Sequence, residues 1–252
     1  MPDAPAREPG PYGHGDVAAS LALVFPLLLA YEVGVLFAGR VNGADVVTRA
    51  LFAATGGRTG YLLVHAVIAL GFLVWVGRAR PGTARGRGCD TGRAPVRDAL
   101  RLEVVVPVVL EAAIYALALG GLITLVVHRG LGLGAGGDVI GAPPCHPSER
   151  AGLWVGALGA GVHEELVFRL ALVAGIARLL RGQRGALAVA LVGSSLAFAA
   201  AHHLGPGGEP YTAHAFACRT VAGLLFGAIF WFRSLAHAVY AHVLYDLLVA
   251  WT

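Results

Sequence analysis

Apolar residues in this chain come in long blocks. Runs such as LALVFPLLLA and ALAVALVGSS are apolar on every side. They show neither the two-residue alternation of a half-buried strand nor the single stripe of an amphipathic surface helix. A helix that crosses a hydrocarbon core of about 30 Å needs roughly 20 such residues. On that measure the pattern predicts spans at 17–38, 60–77, 103–127, 151–177, 186–204, 213–232 and 235–251, seven helices with the last one short. Pro26 and Pro107 fall inside spans, where a kink or a neighbouring helix satisfies the freed backbone groups. The expected fold is all-α, a polytopic transmembrane helix bundle. Residues 1–16, polar and rich in Pro and Gly, are expected as a flexible tail, and 17–252 as a single integral membrane domain. The tail lacks the clustered positive charge of a secretory signal, so 17–38 is read as a retained first span.

Composition supports the membrane reading. The chain is 57% hydrophobic and 13% charged, whereas a soluble domain carries roughly 25% charged residues. A transmembrane β-barrel would alternate in segments of about ten residues, and these blocks do not. The net charge of +4 comes with 19 basic residues, all of them Arg. Most lie between apolar blocks, which marks them as topogenic and leaves no reason to expect a nucleic-acid partner. Seven Arg from Arg78 to Arg101, then Arg178, Arg181 and Arg184, put those two connections on the cytoplasmic side. The connections 39–59, 128–150 and 205–212 then face outward, although Arg40, Arg49, Arg58, Arg129 and Arg150 in or beside them dilute the contrast. A Lys-free, Arg-rich composition suggests a bacterial protein, hence a multi-pass protein of the inner membrane. Cys89, Cys145 and Cys218 are far apart and form no C-x-x-C, so no disulfide or cysteine metal motif is expected.

The late spans carry charges that an apolar solvent penalises. An acid or Arg at mid-bilayer costs about 2.5–3.5 kcal/mol on insertion scales, so those that persist face a bundle interior. In AGLWVGALGAGVHEELVFRLALVAGIARLL, Glu164 and Glu165 are neighbours and Arg169 follows. On an α-helix the two carboxylates diverge by about 100°, while Glu165 and Arg169, at i,i+4, share a face and can pair. Glu164 points elsewhere and is the candidate for proton transfer. SSLAFAAAHHLG puts Phe198 and His202 on one face, and HAVYAHVLYDLLVAW does the same for His242 and Asp246. A carboxylate, two histidines and a second acid on three helices could activate a water and stabilise an oxyanion. Each also has a plainer reading as a clamp between helices.

Glu164-Glu165-x-x-x-Arg169, Phe198-x-x-x-His202 and His242-x-x-x-Asp246 occur in that order on successive late helices. The set resembles the three-motif signature of the CAAX protease and bacteriocin-processing family of intramembrane glutamic endopeptidases, over roughly residues 151–252. The resemblance implies an internal catalytic cavity formed by the late helices, with no metal and no cofactor. It implies that Glu164 activates the hydrolytic water with help from His202, and that His242 and Asp246 line the oxyanion side. Glu165 and Arg169 would hold the fourth helix, with Phe198 in support. Asp246 departs from the Asn typical of prenyl-protein members. An ionised Asp only accepts hydrogen bonds, so Asp246 is protonated or serves otherwise; some bacterial relatives also have Asp.

The partners implied are the lipid bilayer and a membrane-anchored protein or peptide. A C-terminal sorting tail of the kind processed by myxosortase-like members is preferred to a prenylated substrate in a bacterial chain. Two rivals come from other classes. A proton- or ion-coupled transporter would be supported by inverted repeats, and none is evident. A non-catalytic immunity or scaffold protein would bind another membrane helix. A zincin H-E-x-x-H fails at Val167, although zinc on Glu164, His202 and His242 stays open as an alternative. Glu32, His65 and Glu111 read as polar clamps, Gly223-x-x-x-Gly227 reads as a close-packing face, and Arg219 could bind a carbonyl or carboxylate.

Overall fold

The computed structural model describes residues 17–38, 53–78, 99–133, 147–204 and 210–251, and among these it contains no strand. The helices are α1 (Val17–Ala38), α2 (Arg58–Arg78), α3 (Leu102–Thr124), α4 (Pro147–Gly159), α5 (Ala174–Leu179), α6 (Ala186–Ala201), α7 (Ala213–Phe232) and α8 (Leu235–Trp251). α3 runs on through a π-helical turn, Leu125–Gly130, and a longer π-helical segment, Ala160–Val173, joins α4 to α5 without a break. The expected tail at 1–16, the connection at 79–98 and Cys89 and Cys145 lie outside the described residues.

All seven apolar blocks are helical. Among the described residues, four helices are long and apolar enough to cross a membrane: Val17–Phe37, Arg58–Trp75, Leu102–Gly130 and Ala213–Phe232. The other blocks fall short for physical reasons. α6 and α8 are apolar but only 16 and 17 residues long, and the fourth block carries two Glu and an Arg in a π-helical stretch. Leu63, Val67 and Leu70 of α2 and Leu110, Ile114 and Leu117 of α3 are exposed. Apolar faces of that extent suit lipid. The protein is a helical integral membrane protein.

α8 is the centre of the bundle, packed against α1, α3, α4, the long π-helical segment and α7. One apolar cluster joins Leu23 and Val24 of α1, Val104 and Val108 of α3, Val162, and Val239 and Val243 of α8. A second joins α3, α7 and α8 through Ala112, Leu119, Phe226 and Ala241. Small residues set the approach of the helices. A Cβ on Gly161 would lie 2.4 Å from Val243 Cγ2, and one on Gly223 would lie 2.9 Å from Ser195 Cβ.

Polar clamps lie at the periphery. Glu32 of α1 accepts from the Tyr61 hydroxyl of α2 and sits 3.4 Å from His65 Nε2. Glu111 of α3 accepts from Arg233 Nη2 at 2.5 Å and from the Tyr115 hydroxyl, and lies 3.4 Å from His237 Nε2.

Cross-helix contacts fix the helix directions. Phe25 stacks on Phe72, Tyr240 reaches the carbonyl of Leu23, Arg233 meets Glu111, and Trp154 meets Trp251. One end of the bundle therefore gathers the starts of α1, α3 and α8 with the ends of α2, α5 and α7. Arg78, Arg101, Arg178, Arg181, Arg184 and Arg233 all belong to that end.

Candidate active site

The segment that carries Glu164 and Glu165 departs from the expected α-helix. Residues Ala160–Val173 form a π-helix, a geometry with i→i+5 hydrogen bonds that is usually confined to a single turn and often found at functional sites. Ser194 of α6 donates to the Phe168 carbonyl inside it at 2.6 Å, so a neighbouring helix holds the irregular backbone. Gly161 lets α8 lie directly against it.

Glu165 and Arg169 pair at 3.0 Å, as their spacing predicts, and both are almost fully buried. Their reach is longer than a clamp on their own helix. Glu165 Oε1 also accepts from His242 Nδ1 on α8 at 2.7 Å, and Arg169 Nη2 reaches the Gly223 carbonyl on α7 at 3.4 Å. The Arg169 guanidinium lies 4.5 Å from the Phe198 ring centroid and 5.4 Å from that of Phe226, where the electron-rich ring faces attract a cation. This buried pair ties the π-helical segment to α6, α7 and α8.

Glu164 faces the other way, towards the histidines. Its Oε2 is 3.7 Å from His202 Nε2 and 3.9 Å from His242 Nε2. His202 is the C-cap of α6, and its Nδ1 lies 2.8 Å from the Phe198 carbonyl. A carbonyl only accepts, so Nδ1–H is the donor there and Nε2 is the nitrogen turned to Glu164. The same logic at Glu165 leaves His242 Nε2 facing Glu164 and, 3.7 Å away, Asp246 Oδ2. Phe198 packs edge-on against both His202 and His242. The structure thus brings Glu164, Glu165, Arg169, Phe198, His202, His242 and Asp246 into one cluster drawn from three helical segments. Among the described residues, no group of three or more His, Cys, Asp or Glu side chains is arranged as a metal-ligand set.

Exposure gives the cluster a direction. The Glu165 side chain is 0% exposed and that of Glu164 10%, whereas those of His202 and Asp246 reach 26% and 31%. The cluster opens towards the end of α6 and the second half of α8, opposite the Arg-rich end.

Residues 147–248 match the family model described as type II CAAX prenyl endopeptidase Rce1-like. Over that segment, less than half of the chain, the protein is similar to the Rce1-like family. No curated protein and no solved structure matches it significantly. The Rce1-like family is one of proteases, which supports an endopeptidase activity at that general level. The matched segment holds every residue of the three motifs and leaves out α1, α2 and α3.

Sequence reasoning missed three contributors to the Rce1-like segment. Phe226 stacks on His242 at 4.4 Å, Ser194 supports the π-helical backbone, and Tyr31 of α1 packs on Gly159 and, edge-on, on His163. Only Phe226 left a trace, because it shares a helical face with Gly223 and Gly227, the pair read as a packing surface. The remaining candidates stand apart from the cluster. Glu32, His65 and Glu111 are clamps between helices, and His203 packs with Tyr211 and Phe216.

Proposed function

We propose that the protein hydrolyses a peptide bond close to the membrane anchor of a protein or peptide, using water activated by Glu164 and His202. One observation carries this reading. Glu164 Oε2 stands 3.7 Å and 3.9 Å from two imidazole nitrogens on different helices, too far for direct hydrogen bonds and suited to groups that share a water. Glu164 takes one proton from that water as its oxygen bonds to the scissile carbonyl carbon, while His202 Nε2 accepts the second hydrogen bond and orients the attack. A proton on His242 Nε2 donates to the carbonyl oxygen as it becomes an oxyanion, and Glu165 holds the ring in place through Nδ1. The C–N bond then breaks as Glu164 returns its proton to the leaving nitrogen. Asp246, beside His242 at the open side, completes the oxyanion side as a second donor in its protonated form.

The substrate class follows from the direction in which the cluster opens. With the Arg-rich end in the cytoplasm, cleavage falls in the outer half of the bilayer. That favours a C-terminal sorting tail, as in myxosortase-like enzymes of a bacterial inner membrane, over a prenylated protein on the cytoplasmic side.

Mass spectrometry of membrane-anchored proteins from cells with wild-type, Glu164→Gln or His202→Ala protein at matched levels tests the reading. New C-termini that disappear in both variants are expected. Identical termini in all three would remove the protease reading for those proteins and leave transport or scaffolding.

A further inference from the structure

Phe226, on α7, belongs to none of the three motifs, yet its ring lies face to face with the His242 imidazole. The centroids are 4.4 Å apart, the planes are 18° from parallel, and Phe226 is 1% exposed. We propose that Phe226 is a positioning residue that fixes the plane of the His242 ring so that Nε2 stays aimed at Glu164. This rests on the hydrolytic reading above.

The hydrogen bond from His242 Nδ1 to Glu165 anchors one ring atom, but hydrogen bonds tolerate a wide spread of angles and weaken steeply only below about 120°. An imidazole held at Nδ1 alone can still tilt, and tilting swings Nε2, which lies across the ring. A flat aromatic face at stacking distance removes that freedom, because any tilt drives one edge of the imidazole into ring carbons.

Phe226 is itself held rigidly, packed in the cluster with Ala112, Leu119, Ile123 and Ala241. Tyr245 meets it edge-on at 6.2 Å. Support of this kind keeps a reacting group within about 0.5 Å of its working geometry, and a misplacement of about 1 Å can cost on the order of 100-fold in rate. A residue that merely filled the core would need volume and no flat face, so the shape of the side chain separates the two roles.

The test uses the full-length protein in detergent micelles, labelled with 15N-histidine, with the His242 signals assigned by their loss in His242→Gln. Phe226→Leu keeps apolar bulk without a flat face, and Phe226→Tyr keeps the ring. Phe226→Met, more adaptable in a core, replaces Leu if that variant does not fold. The expected result is a single sharp His242 signal set in wild type and Phe226→Tyr, and broadened or shifted signals in Phe226→Leu. Unchanged His242 signals in Phe226→Leu would overturn the inference.

On a peptide spanning a mapped cleavage site, Phe226→Leu should lower kcat by about 10- to 100-fold with KM within twofold, and Phe226→Tyr should restore it to within threefold. Full kcat in Phe226→Leu, with none in Glu164→Gln, would reject the role of Phe226 alone. Cleavage by Glu164→Gln would reject the hydrolytic reading, and the His242 signals would still decide whether Phe226 positions the ring.

Discussion

Asp246 differs from the asparagine typical of prenyl-protein members by a single functional group, and that group decides what it can donate. It sits 3.7 Å from His242 Nε2 with its carboxyl half-buried. If it helps to bind the oxyanion, it does so as a hydrogen-bond donor, and an amide supplies the same donor. Asp246→Asn should therefore keep cleavage within about tenfold of wild type, whereas Asp246→Ala should lose about 100- to 1,000-fold in kcat, the usual consequence of deleting an oxyanion donor. Initial rates on one substrate peptide compare the two; equal losses in both variants would assign Asp246 a role that needs a carboxylate. The division of labour between the adjacent glutamates has the same physical root. Glu165 is engaged directly by Arg169 and His242, both at Oε1, while Glu164 meets its histidines at distances that admit a small molecule.

Among the elements, the π-helical segment and α8 form the contact on which the cluster depends, and Gly161 permits it. A Cβ there would meet Val243 Cγ2 at 2.4 Å and the backbone nitrogen of Val243 at 3.0 Å, so the α8 backbone itself would have to shift. Gly161→Val should cost about 1–3 kcal/mol by overpacking and reduce cleavage out of proportion, because His242 rides on the displaced helix. Thermal unfolding in detergent, read beside the cleavage rate, checks both. This element also marks how far the sequence could be read. The helices were legible because each is an uninterrupted apolar block, and the pairing of Glu165 with Arg169 was legible because i,i+4 neighbours meet in either helix type. The π-helical geometry was not, since AGVHEELVFRLALV has the composition of an ordinary span and the extra carbonyl partner comes from Ser194, 26 residues beyond Phe168. The reach of Glu165 to His242 was hidden for the same reason, as contacts across 77 residues leave no periodic mark.

Across the whole molecule, the cluster opens away from the end that holds most of the described Arg residues, although Arg58 and Arg129 lie at the other end, and the positive-inside rule then predicts an orientation. In a cysteine-free background, Leu204→Cys or Tyr211→Cys should react with a membrane-impermeant maleimide on intact cells, and Arg181→Cys only after permeabilisation; the reverse pattern would turn the site to the cytoplasm. Glu111, Arg233 and His237 brace the Arg-rich end, away from the cluster, while Glu32, Tyr61 and His65 tie α1 to α2 towards the other end. The length of α6 adds a further consequence. Its 16 residues extend about 24 Å at about 1.5 Å per residue, less than the roughly 30 Å of hydrocarbon in a typical bilayer. Lipid beside a helix that is too short thins to meet it, and His202 caps one end of α6. Hydrophobic mismatch would then lower the aqueous surface towards Glu164, and on the hydrolytic reading it would shorten the path of the water that each cleavage consumes.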